Sequence, residues 1–184
     1  MLTREYQNQL VTNLRSIFGD ELVEPEWDSV KYSRHSGNHK IVYAPRHDIA
    51  VGPFNSLWDF DVRTDVTKPM RSHPFTKRLY KDYLKDRDTL RRCWNSLSRC
   101  YLAIEIEFSG SSKHLLGSML NAVVSGSIGI VIVNETNIQK AIRMSNYLMR
   151  LEDFEKVKLN VLRNLIIFDR DDFLKLLLDF QGSN

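Results

Sequence analysis

The chain is poor in the residues that mark specialised protein classes. Its two cysteines, Cys93 and Cys100, are too few for a disulfide framework or for a zinc site made of cysteines alone. They fit a reducing compartment, where both remain thiols and serve as small packing residues. Eight glycines and five prolines leave no tract that reads as a linker, a low-complexity segment or an internal repeat. Long hydrophobic runs are missing too. Stretches such as "IGIVIV" fall far short of the roughly 20 apolar residues that span a bilayer, so no membrane partner is expected. The opening "MLTREYQNQL" is charged and polar rather than basic and then apolar, so it does not read as a secretory leader, and a cytoplasmic location is expected. No glycine pattern suits a P-loop or a dinucleotide, and the serines near 109–112 form no nucleophile elbow. The five histidines (His35, His39, His47, His73 and His114) lack zinc-ligand spacing and read as surface or capping residues.

What is present describes an ordinary globular chain with one uneven feature. Hydrophobic residues make up 42% and charged residues 27% of 184 positions, enough for a single domain, 1–184, with a substantial core. The formal net charge is only +3, yet residues 63–99 hold eleven Lys and Arg against four Asp. Such a concentration is the electrostatic footprint of a polyanion partner. A mixed-charge helix that is merely solvated, with Asp82, Asp86 and Asp88 pairing along it, gives the same count. The basic residues that a nucleic acid would meet are Arg71, Lys77, Arg78, Lys81, Lys85, Arg91 and Arg92. Tyr80, Tyr83 and Trp94, interleaved with them, read as packing residues before they read as base-stacking platforms.

The periodicity of apolar residues gives the element order. Tyr6, Leu10, Leu14, Ile17 and Phe18 recur at helical spacing, with Thr3 available as a cap and Gly19 at the end. "DSVKYSRH" and "IVYAPRHDIAVGPF" read as a hairpin reversing at Ser36-Gly37-Asn38. Residues 56–99 form a basic insertion, a loop with Pro69 and Pro74 followed by a helix from about Phe75 to Leu97. "CYLAIEIEF" is a strand. The next helix carries a stripe of Leu115, Leu116, Met119, Leu120, Val123 and Val124. "IGIVIV" and "NLIIF" are strands buried on both faces, separated by a helix over "NIQKAIRMSNYLMRLEDF". A last helix places Phe173, Leu176, Leu177 and Phe180 on one side. Strands alternating with helices in the second half predict an α/β fold with a mixed sheet covered by helices.

Two carboxylates in an apolar strand are out of place. Alternation puts Glu105 and Glu107 on one face, with Ile104 and Ile106 on the other. Asp48, in "PRHDIAVG", runs directly into Ile49-Ala50-Val51. If the two strands pair, three carboxylates converge, and a divalent cation would relieve their repulsion. All-oxygen donors, completed by water and phosphate, suit Mg²⁺ or Mn²⁺.

Asp48 followed far downstream by "EIE" on a strand, and then by an amphipathic helix, resembles the PD-(D/E)xK nuclease superfamily. The resemblance implies a restriction-endonuclease-like core with residues 56–99 inserted, and an enzyme that hydrolyses DNA phosphodiester bonds with Mg²⁺ or Mn²⁺. It further implies metal ligation by Asp48, Glu105 and the backbone carbonyl of Ile106, joined by an acid of the first helix, Glu5. The chain departs from the family at the next position, where Glu107 stands in place of lysine. Glu107 would then bind a second ion or accept the water's proton, or Lys113 would supply the missing positive charge. Asn121 shares a helix face with Lys113. Cutting both strands of a duplex usually takes two active sites, which a homodimer would supply. The departure leaves a second reading open, a catalytically inactive nuclease-like module that binds nucleic acid or protein. An accessory subunit that uses the basic insertion on a protein partner is a third.

Overall fold

The computed structural model describes residues 3–28, 45–55, 65–86, 88–153 and 162–183, the side chains of 151–153 excepted. Among these residues five α-helices and five strands follow one another: α1 Thr3–Phe18, β1 Val23–Asp28, β2 Arg46–Val51, α2 Pro74–Leu79, β3 Cys100–Glu107, α3 Ser112–Ser125, β4 Gly126–Val133, α4 Glu135–Asp153, β5 Leu165–Asp169 and α5 Arg170–Gly182. The strands form one mixed sheet in the order β1-β2-β3-β4-β5. β1–β2 and β2–β3 are antiparallel, whereas β3–β4 and β4–β5 are parallel. The carboxyl ends of β3, β4 and β5 therefore lie along one end of the sheet.

Helices cover both faces. On one, Tyr6, Leu10 and Leu14 of α1 and Phe173 and Leu177 of α5 pack with Phe75 and Leu79 of α2 over Ile104, Ile130 and Phe168. On the other, Leu115, Met119 and Val123 of α3 and Ala141 and Leu148 of α4 cover Val131, Val133 and Leu165. Every residue of β3 and β4 is buried, which accounts for the continuous apolar run Ile128–Val133 in β4. Each such Leu or Ile contributes about 1.5–3 kcal/mol by leaving water. Gly129 lets α3 come close, because a Cβ there would sit 2.8 Å from the Ala122 carbonyl carbon. Val124, assigned by spacing to the apolar stripe of α3, is exposed instead, and Ala122 is buried.

Two sequence expectations change. β1 lies upstream of the strand expected at "DSVKYSRH", and the expected reversal at Ser36-Gly37-Asn38 lies outside the described residues. The long helix expected from Phe75 to Leu97 ends early: α2 stops at Leu79, passes into a π-helical turn over Tyr80–Leu84, and residues 88–99 run as turns. Tertiary hydrogen bonds overrule helix propensity there. Asn95 Nδ2 donates to the carbonyls of Val123 and Val124, and Asn95 N to that of Ser127. Thr67, Ser98 and Ser127 share a buried hydroxyl cluster. Asn164 Nδ2 serves the carbonyls of Val123, Gly126 and Ser127 at 3.1–3.3 Å. The insertion is thereby pinned to the amino-terminal end of β4.

Candidate active site

Asp48 sits where the strand ladder lapses. The β2–β3 register runs Val51↔Leu102, Ala50↔Ala103 and Ile49↔Ile104 and goes no further. One residue beyond, the Asp48 carboxylate replaces a backbone acceptor, and its Oδ2 takes the Ile106 N–H at 2.7 Å. The β1–β2 register also skips this position, because Glu26 adopts a left-handed φ of 53°, which is uncommon for a residue with a Cβ and typical of functional sites. Gln7, on the buried side of α1, ties the region together. Its Nε2 donates to the Asp48 carbonyl at 2.7 Å and to Glu26 Oε1 at 3.1 Å. Arg46 Nε pairs with the other Glu26 oxygen at 2.9 Å.

Glu105 and Glu107 project from the same side of β3 and are both buried, 7% and 9% exposed. Each is held through one oxygen. Glu105 Oε1 lies 2.6 Å from Nδ1 of His47, a side chain that is 1% exposed. An ionised carboxylate only accepts, so this contact places the imidazole proton on Nδ1. The ring stacks on Trp27 at 5.9 Å, and its Nε2 is buried without a hydrogen-bond partner among the described residues. Glu107 Oε1 accepts from the Ser109 N–H at 2.8 Å and from the Ser109 hydroxyl. Gly110 shapes this turn with a φ of +67°, where a Cβ would strike the Asn137 side chain.

Burial pushes the Asp48 carboxyl above its ordinary value. The Ile106 N–H pulls it back, and the Glu26 charge adds to the rise. Burial also raises Glu105, against the hydrogen bond from His47, and the charges of Asp48 and Glu107 reinforce the rise. The carboxylates are thus mutually repelling groups kept from water, the condition a cation relieves. Asp48 Oδ1 and Glu105 Oε2 accept no hydrogen bond from a described residue.

The full convergence expected from sequence is not formed. Among the described residues no group of three or more His, Cys, Asp and Glu side chains could hold a metal ion. His47 turns Glu105 toward β2, and Ser109 curls Glu107 back onto the β3–α3 turn. Glu5 is exposed, and the α1 residue that reaches Asp48 is Gln7. Lys113 is exposed in the first turn of α3. Asn121 is carried away from it along the helix by about 12 Å at 1.5 Å per residue. A cleft of about 580 Å³ opens beside Asp48, lined by Arg4, Gln7, Asn8, Glu26 and Arg46.

The expected basic surface divides. Arg71 is half-buried, pairs with Asp65 at 2.8 Å and lies over the Trp94 ring at 5.1 Å. Arg78 pairs with Asp82. Lys77, Lys81, Lys85 and Arg91 are exposed, and Arg92 meets Asp88 at 3.4 Å. Tyr83 packs on Phe168 and Trp94 on Tyr101, as packing residues do.

Sequence reading missed Gln7, Glu26 and the role of His47. Gln7 carried a usable signal, a polar side chain three and four residues before Leu10 and Val11 on the apolar face. Glu26 carried none. Compared with family models, curated proteins and solved structures, the chain matches none. No described helix is long and apolar enough to cross a membrane.

Proposed function

We propose that the chain is a metal-dependent nuclease domain of the PD-(D/E)xK, restriction-endonuclease-like type that hydrolyses DNA phosphodiester bonds with Mg²⁺ or Mn²⁺. The observation that carries this reading is the pair Asp48 and Glu105. They lie on adjacent strands just past the last ladder pair, Ile49↔Ile104; each is fixed through one oxygen, the second oxygen of each has no described partner, and the Asp48 charge disfavours that of Glu105. A helix, an antiparallel three-strand meander, a helix and a parallel strand support the family resemblance. Asp48 and Glu105 hold the cation in this reading. The Ile106 carbonyl joins them, because its N–H already faces β2 and a strand residue presents both backbone groups to the same neighbour.

A bound Mg²⁺ or Mn²⁺ supplies a lowered water pKa and screens the phosphate charge. The chain's own residues do the rest. His47 orients Glu105, as partners of metal-ligating carboxylates do. Glu107, fixed by Ser109, accepts a proton from the attacking water. Lys113 brings positive charge to the turn that follows. The cleft beside Asp48 admits the scissile phosphate, with Arg4 and Arg46 on its wall. Engagement of Glu107 by Ser109, at the position where lysine is usual, favours a second reading, a binding module without catalysis.

Incubation with supercoiled and linear DNA in Mg²⁺ or Mn²⁺ separates the two. The nuclease reading expects cleavage by the native chain and none by Asp48→Asn or Glu105→Gln. Retention of DNA without cleavage in either metal supports the binding module. Undiminished cleavage by both variants removes the site.

A further inference from the structure

Far from Asp48 and Glu105, at the amino-terminal end of β4 and β5, two guanidinium groups meet one carboxylate and a third lines the same cavity. Arg163 Nη1 lies 3.0 Å and Arg92 Nη1 3.4 Å from Asp88 Oδ2. Arg91 completes the rim of a cavity of about 420 Å³, with Trp94 in its wall. Arg91 is exposed and forms no ion pair or hydrogen bond with a described residue. Trp94 is 6% exposed, and its indole Nε1–H is buried without an acceptor among the described residues. Beside it, the guanidinium of Arg71 lies over the Trp94 ring, and its Nε–H is buried and likewise unpartnered. Indole and guanidinium nitrogens only donate, so each of these groups can be satisfied by an acceptor alone.

We infer that Arg91, Arg92 and Arg163 form a phosphate-binding pocket that grips the backbone of a nucleic acid at the opposite end of the sheet from Asp48 and Glu105. Guanidinium forks match the paired non-bridging oxygens of a phosphodiester, and three of them outweigh the single carboxylate of Asp88. The exposed Lys77, Lys81 and Lys85 extend positive charge along the same segment, which favours a polyanion over an isolated small anion. Arg163 enters this pocket from the turn before β5 (Leu162–Asn164), although it stands outside the basic stretch of the sequence. In this arrangement Asp88 is the pocket's internal competitor. It holds Arg92 and Arg163 in place, and a phosphate displaces it from them. The inference rests on the nucleic-acid partner proposed above and does not depend on cleavage.

The experiment is fluorescence anisotropy of a labelled oligonucleotide, single- or double-stranded, titrated in EDTA over a series of salt concentrations with the full chain carrying Asp48→Asn. Arg91→Ala, at an exposed position with no described contact to lose, is expected to lower the log–log salt slope by about one; Arg91→Ala with Arg163→Ala is expected to lower it by about two and affinity roughly tenfold or more. Asp88→Asn is expected to tighten binding, the opposite of what loss of a merely structural ion pair would do. Unchanged slope and affinity in Arg91→Ala, or weaker binding in Asp88→Asn with an unaltered melting temperature, overturns the pocket. Cleavage by the native chain with unaffected binding by the arginine variants refutes the pocket alone. Arginine-dependent binding with no cleavage by the native chain refutes the nuclease reading alone.

Discussion

Replacing Asp48 with asparagine removes a charge and keeps an acceptor. The Asp48 oxygen that takes the Ile106 N–H at 2.7 Å has an equivalent in the asparagine amide, so no backbone donor is orphaned, a loss that would cost about 1–3 kcal/mol. What disappears is a buried anion beside Glu26 and Glu105. Removing a buried charge disfavoured by its surroundings is expected to raise stability by about 0.5–2 kcal/mol, the size usual for stabilising substitutions. For a domain of this size, each kcal/mol moves Tm by roughly 2–4 °C. Asp48→Asn is therefore expected to melt above the native chain at neutral pH in EDTA. Burial raises the folded-state pKa of Asp48 above its ordinary 3.8. Between that value and the raised one, the folded chain keeps a proton that the unfolded chain has released. The penalty from Asp48 is thus absent below pH 3.8 and complete above its raised pKa, so the Tm advantage of the variant should shrink as pH falls from 7 toward 4. Glu105→Gln should behave likewise above the ordinary 4.5 of glutamate. In the proposed metal-binding reading Mn²⁺ is expected to reverse the order, since a ligand at about a hundredfold excess over its Kd would stabilise the native chain by about 2.7 kcal/mol. Differential scanning fluorimetry over pH, with EDTA or Mn²⁺, reads all three effects. A variant that melts below the native chain at pH 7 in EDTA, or a difference that does not change with pH, would show that the Asp48 charge does not destabilise the fold.

Other substitutions probe the surroundings. His47→Ala leaves Glu105 buried without its donor and should cost about 2–4 kcal/mol in urea unfolding, with partial recovery in His47→Asn, whose amide can donate. Asn164→Ala removes three hydrogen bonds to carbonyls and should cost about 2 kcal/mol, with faster amide exchange at residues 95–99, which hang from the same strand end. Gly129→Val drives a side chain into the α3 backbone, 2.8 Å from where its Cβ would lie, and should destabilise by about 1–3 kcal/mol on chemical denaturation. Lys113→Ala, exposed and without a described partner, should leave Tm unchanged and lower the rate of DNA cleavage. An unaltered rate would show that Lys113 does not replace the missing lysine.

Parts of the fold were legible where one physical signal dominated. "IGIVIV" had to be a strand covered on both faces, and α1 and α5 declared themselves through apolar spacing. β1 was hidden because Pro25 and the left-handed Glu26 break its alternation. The local propensity for a helix over 75–97 is real but is overruled by distant partners: Asn95 on the α3 carbonyls of Val123 and Val124 and on Ser127 of β4, and Asp88 with Arg163. The site divides in the same way. Alternation put Glu105 and Glu107 on one face, and the charge of Asp48 beside an apolar run marked it as unusual. Nothing local could show that a buried His47 would meet Glu105 from the neighbouring strand, that Gln7 rather than Glu5 would reach Asp48, or that Arg163 would join Arg91 and Arg92. Each of these depends on register between segments far apart in the chain.

In the proposed nuclease, Asp48 and Glu105 share one cation. Titration of the metal-free chain with Mn²⁺, followed by electron paramagnetic resonance, measures this directly. Saturable binding at one site in the native chain, weakened at least tenfold in both Asp48→Asn and Glu105→Gln, is the expected result. Mn²⁺ affinity that is the same in all three proteins would contradict it.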